Sequence, residues 1–291
     1  MRILNATSPI NLFGLEGQSY EKANFIAIPV PYDSTMSYGT GSRKGPMAII
    51  EASRHMELYD EELNSNPSDA GVFTTEEIEP DVDSPEKMVR RISKEVGIVM
   101  DDGKIPILFG GEHTIALGGI YAASEHYKDV SVLHFDAHSD SRGEFMGSKY
   151  SHACIMSRAR ERCSKCVSVG VRSIDSESAR LYKDSIIYMR DVRGGKISDI
   201  SKRISDMLSK NVYLTVDLDV LDPSEMPSVG TPEPDGMRYN QITSILKLVL
   251  HGKRLVGFDI SELSPIPGIV APDYLAAKLA YSIVGYSRKK V

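Results

Sequence analysis

Short apolar runs alternate with longer stretches of helical character along this chain of 291 residues. The apolar runs are rich in β-branched residues and show little polar alternation, which is typical of parallel strands covered on both faces. We predict strands at residues 25–30, 105–109, 130–135, 166–171, 212–220 and 255–260. We predict helices at residues 46–59, 85–100, 114–126, 151–162, 197–209 and 239–250.

The order of these elements predicts the fold. Strands that alternate with helices form βαβ units, so we expect an α/β fold with three layers, α/β/α, around a mainly parallel central sheet. The polar stretch at residues 61–69 has the composition of a loop. Because the sequence contains neither an internal repeat nor a linker, we predict a single domain over residues 1–291.

Composition and charge exclude several classes of protein. A formal net charge of -6 argues against nucleic-acid partners, because binding phosphates needs a dense basic patch and the basic residues cluster only in the short tail at residues 287–290. The sequence contains no apolar run of about 18 residues and no signal-peptide pattern at its N-terminus. We therefore expect no membrane association and a cytoplasmic location.

The cysteines are too few, and odd in number, for a disulfide framework. Cys163 and Cys166 have the spacing of a zinc or redox pair, but a structural zinc site needs a second ligand pair, and none is visible in the sequence. We interpret these two residues and Cys154 as plain thiols, with a redox or metal role as the alternative.

Acidic and imidazole side chains follow one of the predicted strands directly, in the segment HFDAHSD at residues 134–140. Side chains two positions apart share a face of an extended chain, so Asp136, His138 and Asp140 are expected to converge. His134 has the same parity. Carboxylates at the end of an apolar strand are costly unless a cation or a firm hydrogen-bond partner neutralises them.

Two other predicted strands end in the same way. The strand at residues 212–220 carries Asp217 and Asp219 on one face, and Gly110 and Gly111 allow the chain to turn and present His113. In an open parallel sheet, ligands bind at the carboxyl ends of the strands, so these groups are expected to share one site. The sequence thus contains six candidate ligands for a metal.

The chemistry of this set indicates the metal and the reaction. The four aspartates carry four negative charges, which two divalent cations would neutralise. Oxygen donors with a minority of imidazoles suit Mn²⁺. Two metal ions can bridge one water and lower its pKa towards neutrality, which produces a nucleophile. We therefore expect a hydrolase.

Six sequence blocks resemble the ureohydrolase family, which contains arginases and agmatinases, and the likeness is greatest to the agmatinases. The blocks are Gly-Gly-Glu-His at 110–113, Asp-Ala-His-Ser-Asp at 136–140, Ser-His at 151–152, Asp-Leu-Asp at 217–219, Gly-Thr-Pro-Glu-Pro at 230–234 and Ser-Glu-Leu-Ser-Pro at 261–265. They occur in family order.

The resemblance implies two Mn²⁺ ions per subunit and a hydroxide that attacks the guanidinium carbon of the substrate, releasing urea and an amine. The ligands would be His113, Asp136, His138, Asp140, Asp217 and Asp219. The resemblance also implies catalytic roles for Asp140, for His152 as a proton shuttle and for Glu262 as the carboxylate that holds the guanidinium. Ser151 and His152 would contact the substrate, and the protein would be a homo-oligomer, a trimer or a hexamer.

The choice of substrate rests on positions at which this chain departs from the arginases, because the arginase residues that grip the charged end of the amino acid are replaced here by Ser141-Arg142 and Tyr150-Ser151. This favours agmatine, with putrescine as the product, over arginine. Arg142 would favour a guanidino acid such as 4-guanidinobutyrate if it pointed into the pocket, and it would have no such effect if it pointed to solvent. Glu144 is a candidate partner for a substrate amine.

Some alternatives stay open. His152 and Glu262 could be ordinary surface residues, and Glu233 could either shape the pocket within the loop at 230–236 or hold a neighbouring loop. A single-zinc deacetylase of similar architecture would need fewer acids, and a metal-stabilised binding protein would need neither His152 nor Glu262.

Overall fold

The computed structural model describes residues 10–287, so the predictions for residues 1–9 and for the basic tail beyond Ser287 lie outside the described residues. The strands of this part are β1 (Phe25–Val30), β2 (Val72–Thr74), β3 (Ile105–Gly110), β4 (Val130–Phe135), β5 (Lys165–Val171), β6 (Ile186–Tyr188), β7 (Asn211–Asp217) and β8 (Arg254–Ser261). They form one parallel sheet of eight strands in the order β2-β1-β3-β8-β7-β4-β5-β6.

Helices cover both faces of this sheet. They are α1 (Gly45–Ser53), α2 (Pro85–Asp101), α3 (Ala116–His126), α4 (Ile155–Arg160), α5 (Ser176–Tyr182), α6 (Met189–Gly194), α7 (Ile197–Met207), α8 (Tyr239–His251) and α9 (Ala271–Ser287). The apolar core on one face includes α1 and α6 to α9, and the core on the other face includes α2 to α4. The predicted α/β fold with a parallel central sheet is therefore confirmed.

The alternation of side chains along β4 shows how one strand serves both cores. Leu133 and Phe135 pack into the layer of α8 and α9, whereas Val130 and Val132 pack into the layer of α2 and α3. All residues of β4 are buried, including the polar Ser131 and His134, so the strand has no alternation of buried and exposed positions, as expected for a sheet covered on both faces.

The predicted elements differ from the structure mainly at their ends and at the edges of the sheet. The short edge strands β2 and β6 were not predicted, because three residues show no periodicity. The helices α5, α6 and α9 were not among the predicted segments either. The strand predicted at 212–220 ends at Asp217, since Leu218–Val220 form a 3-10 turn. The helix predicted at 46–59 ends at Ser53, and that at 151–162 is reduced to α4 behind a 3-10 turn.

The three cysteines are buried and unpaired. Burial raises the pKa of Cys154 and Cys163 to about 11 and that of Cys166 to about 12. Since the thiolate is the form that reacts and binds metals, these surroundings favour the interpretation of plain thiols over a redox or metal role. Among the described residues, no helix has the length and apolar character needed to cross a membrane.

Candidate metal centre and active site

Four neighbouring strands deliver polar side chains to one edge of the sheet. The strands β3, β8, β7 and β4 lie side by side and parallel, so their carboxyl ends meet. His113 follows β3, Glu262 follows β8, Asp217 ends β7, and the segment from Asp136 to Asp140 follows β4. The edge predicted to bind ligands thus holds all the predicted metal ligands.

The first group of donor atoms surrounds Nδ1 of His113. This nitrogen lies 3.2 Å from Oδ2 of Asp136, 3.1 Å from Oδ2 of Asp140 and 3.4 Å from Oδ2 of Asp217. All four residues are buried. Donors that surround a small divalent cation at about 2.1 Å in octahedral geometry lie about 3 Å from one another, so the spacing fits such an ion.

The second group surrounds Nδ1 of His138. This nitrogen lies 2.8 Å from Oδ2 of Asp219 and 3.5 Å from Oδ1 of Asp136. Asp136 therefore belongs to both groups, with one carboxylate oxygen in each. Together the two groups contain the six residues that the sequence indicated as ligands. Donor atoms of five of them, all except Asp217, lie in two clusters that could hold a metal ion, and the first cluster also includes His134.

The electrostatics of these groups agree with a cation site. Burial raises the pKa of Asp217 well above its ordinary value, and the charges of Asp219 and Asp136 raise it further. Burial opposes a charge on His138, but its contacts with Asp136 and Asp219 raise its pKa to about 12. Buried acids and imidazoles of this kind share protons, and a divalent cation supplies the positive charge that the acids require. The donor set thus fits divalent metal ions.

A hydrogen-bonded row behind the ligands orients His113. Its Nε2 lies 2.8 Å from Oγ1 of Thr215, and the same hydroxyl donates to Oδ1 of Asp259 at 2.8 Å. Since a hydroxyl has one proton, Thr215 accepts from Nε2–H of His113. In the neutral imidazole, which is the form that binds a metal, Nδ1 is then the nitrogen without a proton. Sequence reasoning missed this role of Thr215 and Asp259.

His134 on β4 is the cross-strand neighbour of Thr215 on its other side. Its Nε2 lies 2.8 Å from Oδ2 of Asp136, and its Nδ1 lies 3.0 Å from Oγ of Ser168. Both ring nitrogens are thus engaged, so His134 orients Asp136 and is not counted as a ligand. Ser168, His134, Thr215 and Asp259 are successive partners across β5, β4, β7 and β8, so only the strand register reveals the row.

A cavity of about 280 Å³ opens over the two donor groups. His152 and Glu262 both line it, together with Asp140. Oε1 of Glu262 accepts the backbone N–H of His113 at 2.7 Å. Glu262 and Asp140 both have left-handed backbone conformations, with φ of 69° and 44°. Such strain in non-glycine residues concentrates at functional sites, where the surrounding structure holds it.

His152 begins a 3-10 turn before α4. Burial lowers its pKa, so the imidazole is mainly neutral near pH 7. Its ring meets that of Phe145 edge-on, with centroids 5.9 Å apart, and its Nε2 lies 3.4 Å from Oγ of Ser37. Ser151 is buried beside it, with Oγ 3.4 Å from Nδ1 of His152, and the predicted contact of Ser151 with substrate stays a prediction.

The mouth of the cavity carries charges of both signs. Arg142 and Asp175 both line the cavity. Arg142 is exposed, and its guanidinium carbon lies 5.4 Å from the centroid of Phe145. Burial raises the pKa of Asp175, but hydrogen bonds from Ser178 and the charge of Arg142 outweigh this effect and lower it. The direction of Arg142, which the sequence left open, is thus along the rim and over an aromatic ring.

The loop at residues 230–236 is fastened to the site by Arg172. The Arg172 guanidinium donates to six backbone carbonyls, those of Gly170, Asp219, Val220, Leu221, Glu233 and Pro234. Glu233 also places Oε1 3.6 Å from Nε2 of His138. The loop therefore shapes the second donor group, and the sequence did not indicate Arg172.

This fold and donor set define a class of protein: a hydrolase whose active site is built at the carboxyl edge of a parallel sheet and suits metal ions. The Arginase family model matches residues 23–285, and the chain belongs to that family, whose members are metal-dependent hydrolases. The resemblance to ureohydrolases is thereby confirmed.

Individual relatives agree with this placement. The chain is 37% identical over 278 residues to an N(1)-aminopropylagmatine ureohydrolase of Thermus thermophilus, covering 94% of each chain. It is 34% identical over 286 residues to the enzyme of that name from Synechocystis, covering 94% of this chain and 93% of the relative. The crystal structure of agmatine ureohydrolase of Thermoplasma volcanium matches with a TM-score of 0.88 and 32% identity, over 96% of this chain and 94% of the other.

Proposed function

We propose that this chain hydrolyses the guanidinium group of agmatine to urea and putrescine, with two Mn²⁺ ions held by the two donor groups. The observation that carries the proposal is the position of Glu262 on the wall of the cavity that His152 also lines, beside four of the six predicted metal ligands, His138, Asp140, Asp217 and Asp219. A carboxylate is the planar acceptor that paired guanidinium N–H donors require.

The residues of the site divide the work. Ions bound by the two donor groups would lower the pKa of a water and so supply a nucleophile near neutral pH. Glu262 binds the guanidinium and turns its carbon towards the donor groups, while Asp140, which lines the cavity, borders the position of the attacking water. His152, mainly neutral near pH 7, accepts a proton and passes it to the leaving amine nitrogen.

The mouth of the cavity supports an amine-tailed substrate. Asp175 lies on the cavity wall, where its two carboxylate oxygens accept hydrogen bonds from the backbone and the hydroxyl of Ser178. Each oxygen has a second lone pair, which can accept from a cationic amine. Arg142 also lines the cavity, but its guanidinium lies over the ring of Phe145 at the rim, and Asp175 lines the same cavity with the opposite charge. This arrangement weakens the case for a guanidino acid such as 4-guanidinobutyrate. Agmatine carries one such amine.

A second candidate is N(1)-aminopropylagmatine, which has the same guanidinium and a longer cationic tail. The observation that favours it is that two relatives at 37% and 34% identity carry this activity in their names. Both candidates share the reaction and the roles of Glu262 and His152, and they differ only in how far the tail extends past Asp175.

Urea release decides between these candidates. We expect the Mn²⁺-loaded protein to release urea from agmatine and to lose this activity with a chelator, while arginine and 4-guanidinobutyrate are poor substrates. If neither these three compounds nor N(1)-aminopropylagmatine yields urea, the proposed function is rejected. A clear preference for N(1)-aminopropylagmatine would select the second candidate.

A variant tests the assignment of the tail. We expect Asp175→Asn to raise KM for agmatine about tenfold, because one charge-assisted hydrogen bond to the substrate amine is lost. The change in kcat should be small. Glu177→Gln is the matched control, because Glu177 is exposed two residues further along. The same measurements with a panel of metals test the choice of Mn²⁺.

The homo-oligomer, a trimer or a hexamer, and the cytoplasmic location stay predictions. Light scattering measures the number of subunits.

A further inference from the structure

Thr35 lies at the centre of the contacts that hold His152. Its hydroxyl oxygen Oγ1 lies 2.7 Å from Oε1 of Glu112, 3.1 Å from the backbone nitrogen of His152 and 3.2 Å from Nδ1 of the same histidine. Glu112 is fully buried, immediately before the ligand His113. The chain therefore connects a buried carboxylate to the proton-carrying imidazole through one hydroxyl group.

The donors of Thr35 determine the direction of its hydrogen bonds to Glu112. The backbone N–H of Thr35 donates to Oε2 of Glu112 at 2.5 Å, and a backbone N–H can only donate. The Thr35 hydroxyl, with one proton and two lone pairs, meets the other carboxylate oxygen at the shortest of its distances. Both oxygens of Glu112 thus accept hydrogen bonds from Thr35, one from its backbone and one from its hydroxyl.

The Thr35 hydroxyl also lies 3.4 Å from Oγ1 of Thr114, whose own proton is donated to the backbone carbonyl of Tyr150. The two lone pairs of Thr35 are then left for His152. One accepts the backbone N–H of His152, and the other faces Nδ1, which must carry a proton to make a hydrogen bond. Because a neutral imidazole has only one ring proton, Nε2 carries none. Nε2 lies beside Ser37, and both side chains line the cavity.

We propose that Glu112, acting through Thr35, holds His152 in the tautomer with the proton on Nδ1 and so presents an unprotonated Nε2 to the cavity. Glu112 and Thr35 are positioning residues, since neither is assigned a contact with substrate. The part of this inference that concerns catalysis rests on the proposed function, because only there does His152 accept and pass on a proton.

Replacing Glu112 by glutamine reverses the direction of the hydrogen bonds. In Glu112→Gln the amide oxygen accepts the Thr35 N–H, and the amide NH₂ faces the Thr35 hydroxyl, which then turns its own proton towards Nδ1 of His152. We expect kcat to fall about 100-fold, the scale of a general acid–base contribution, with KM changed less than about threefold. Glu77→Gln, at an exposed glutamate, is the control.

A second pair of variants isolates the hydroxyl. Thr35→Val keeps the shape of the side chain and removes the hydrogen bonds of the hydroxyl to Glu112 and His152, whereas Thr35→Ser keeps the hydroxyl. We expect Thr35→Val to lower kcat as Glu112→Gln does and Thr35→Ser to retain most of it. This pair decides the question even if the Glu112→Gln protein does not fold.

The tautomer itself is measured by ¹⁵N NMR of the histidine side chains in the protein loaded with Zn²⁺, a diamagnetic ion, with His152 assigned by its absence in His152→Asn. We expect the proton on Nδ1 in the wild type and on Nε2 in Glu112→Gln. A wild-type His152 protonated at Nε2 overturns the inference, as does a Glu112→Gln protein with unchanged tautomer and kcat. If the wild type releases no urea, the proposed function fails, while the NMR result still decides the positioning.

Discussion

At the scale of single residues, Thr215 shows how one hydroxyl sets the chemistry of a neighbouring group. It donates to Asp259 and therefore accepts from Nε2 of His113, which turns Nδ1 of that imidazole towards three carboxylates. Thr215 and Asp259 are direct partners on β7 and β8. Thr215 thus supplies a hydrogen bond that the buried carboxylate of Asp259 requires, and it also fixes the orientation of His113.

Thr215→Val removes the link between His113 and Asp259 at nearly constant side-chain volume. We expect the affinity for Mn²⁺ to fall by about 10- to 100-fold, the usual effect of losing a hydrogen-bond partner of a ligand, as measured by calorimetric titration of the metal-free protein. Thr215→Ser should bind Mn²⁺ almost as the wild type does. Equal affinities for the valine and serine variants would contradict this role.

Asp222 gives a prediction for acid pH. Hydrogen bonds from the side chain and backbone of Ser224 and from the backbone of Gly236 lower its pKa from 3.8 to about 2. A carboxyl group whose pKa is depressed by folding stabilises the protein above its unfolded pKa, and this contribution is lost as the pH falls.

We therefore expect Asp222→Asn to lower the free energy of unfolding by about 1 kcal/mol at pH 7, a figure reduced because the carboxylate is accessible to solvent. The difference from the wild type should shrink as the pH falls from about 4 to about 2, as followed by urea unfolding at each pH. A difference that is constant over this range would show that the hydrogen bonds do not depend on ionisation.

At the scale of elements, two glycines allow α3 to lie close to its neighbours. A Cβ atom on Gly118 would lie 2.4 Å from Cβ of Ile92 on α2, and one on Gly119 would lie 1.8 Å from the hydroxyl oxygen of Tyr213 on β7. Both distances are far below van der Waals contact, so the helix can approach α2 and the sheet only where these side chains are absent.

The contrast between two helical glycines tests this packing. Gly119→Ala should lower the free energy of unfolding by about 2 kcal/mol or more through overpacking against Tyr213. Gly97→Ala on α2 is the control, because its Cβ would meet no atom within 4 Å, and it should raise stability by up to about 1 kcal/mol through helix propensity. Urea unfolding measures both, and a neutral Gly119→Ala would refute the close approach.

The strands show which elements a sequence pattern can predict and which it cannot. The six apolar runs are visible in the sequence because buried parallel strands have no polar alternation to interrupt them. The edge strands β2 and β6, with three residues each, carry too little pattern to be seen. The strand ending at Asp217 was predicted three residues too long, because Leu218 and Val220 are apolar although they lie in a 3-10 turn.

At the scale of the whole molecule, the donor groups join segments that are far apart in the chain. His113, Asp136 and Asp217 lie on loops or ends of β3, β4 and β7, so a bound ion links three strands that an unfolded chain cannot bring together. Binding to the folded state alone raises stability in proportion to the logarithm of ligand concentration.

We therefore expect Mn²⁺ to raise the midpoint of thermal unfolding, with a gain of about 2.7 kcal/mol when free Mn²⁺ is about 100 times Kd. Asp219→Asn should reduce this gain, and Asp184→Asn, at an exposed aspartate, should leave it unchanged. A chelator should return the wild type to the metal-free midpoint. A midpoint independent of Mn²⁺ would contradict a metal centre built from these strands.

The sequence by itself determined the layered α/β class and indicated six candidate ligands, because continuous apolar runs indicate burial and acids at strand ends need compensation. Only the tertiary structure decided which side chains position the groups of the site. Thr215, Asp259, Arg172, Thr35 and Glu112 act across strand register or from distant loops. Hydrogen bonds depend on positions within a few tenths of an ångström, and no local pattern in a chain encodes such distances between segments that are far apart in sequence.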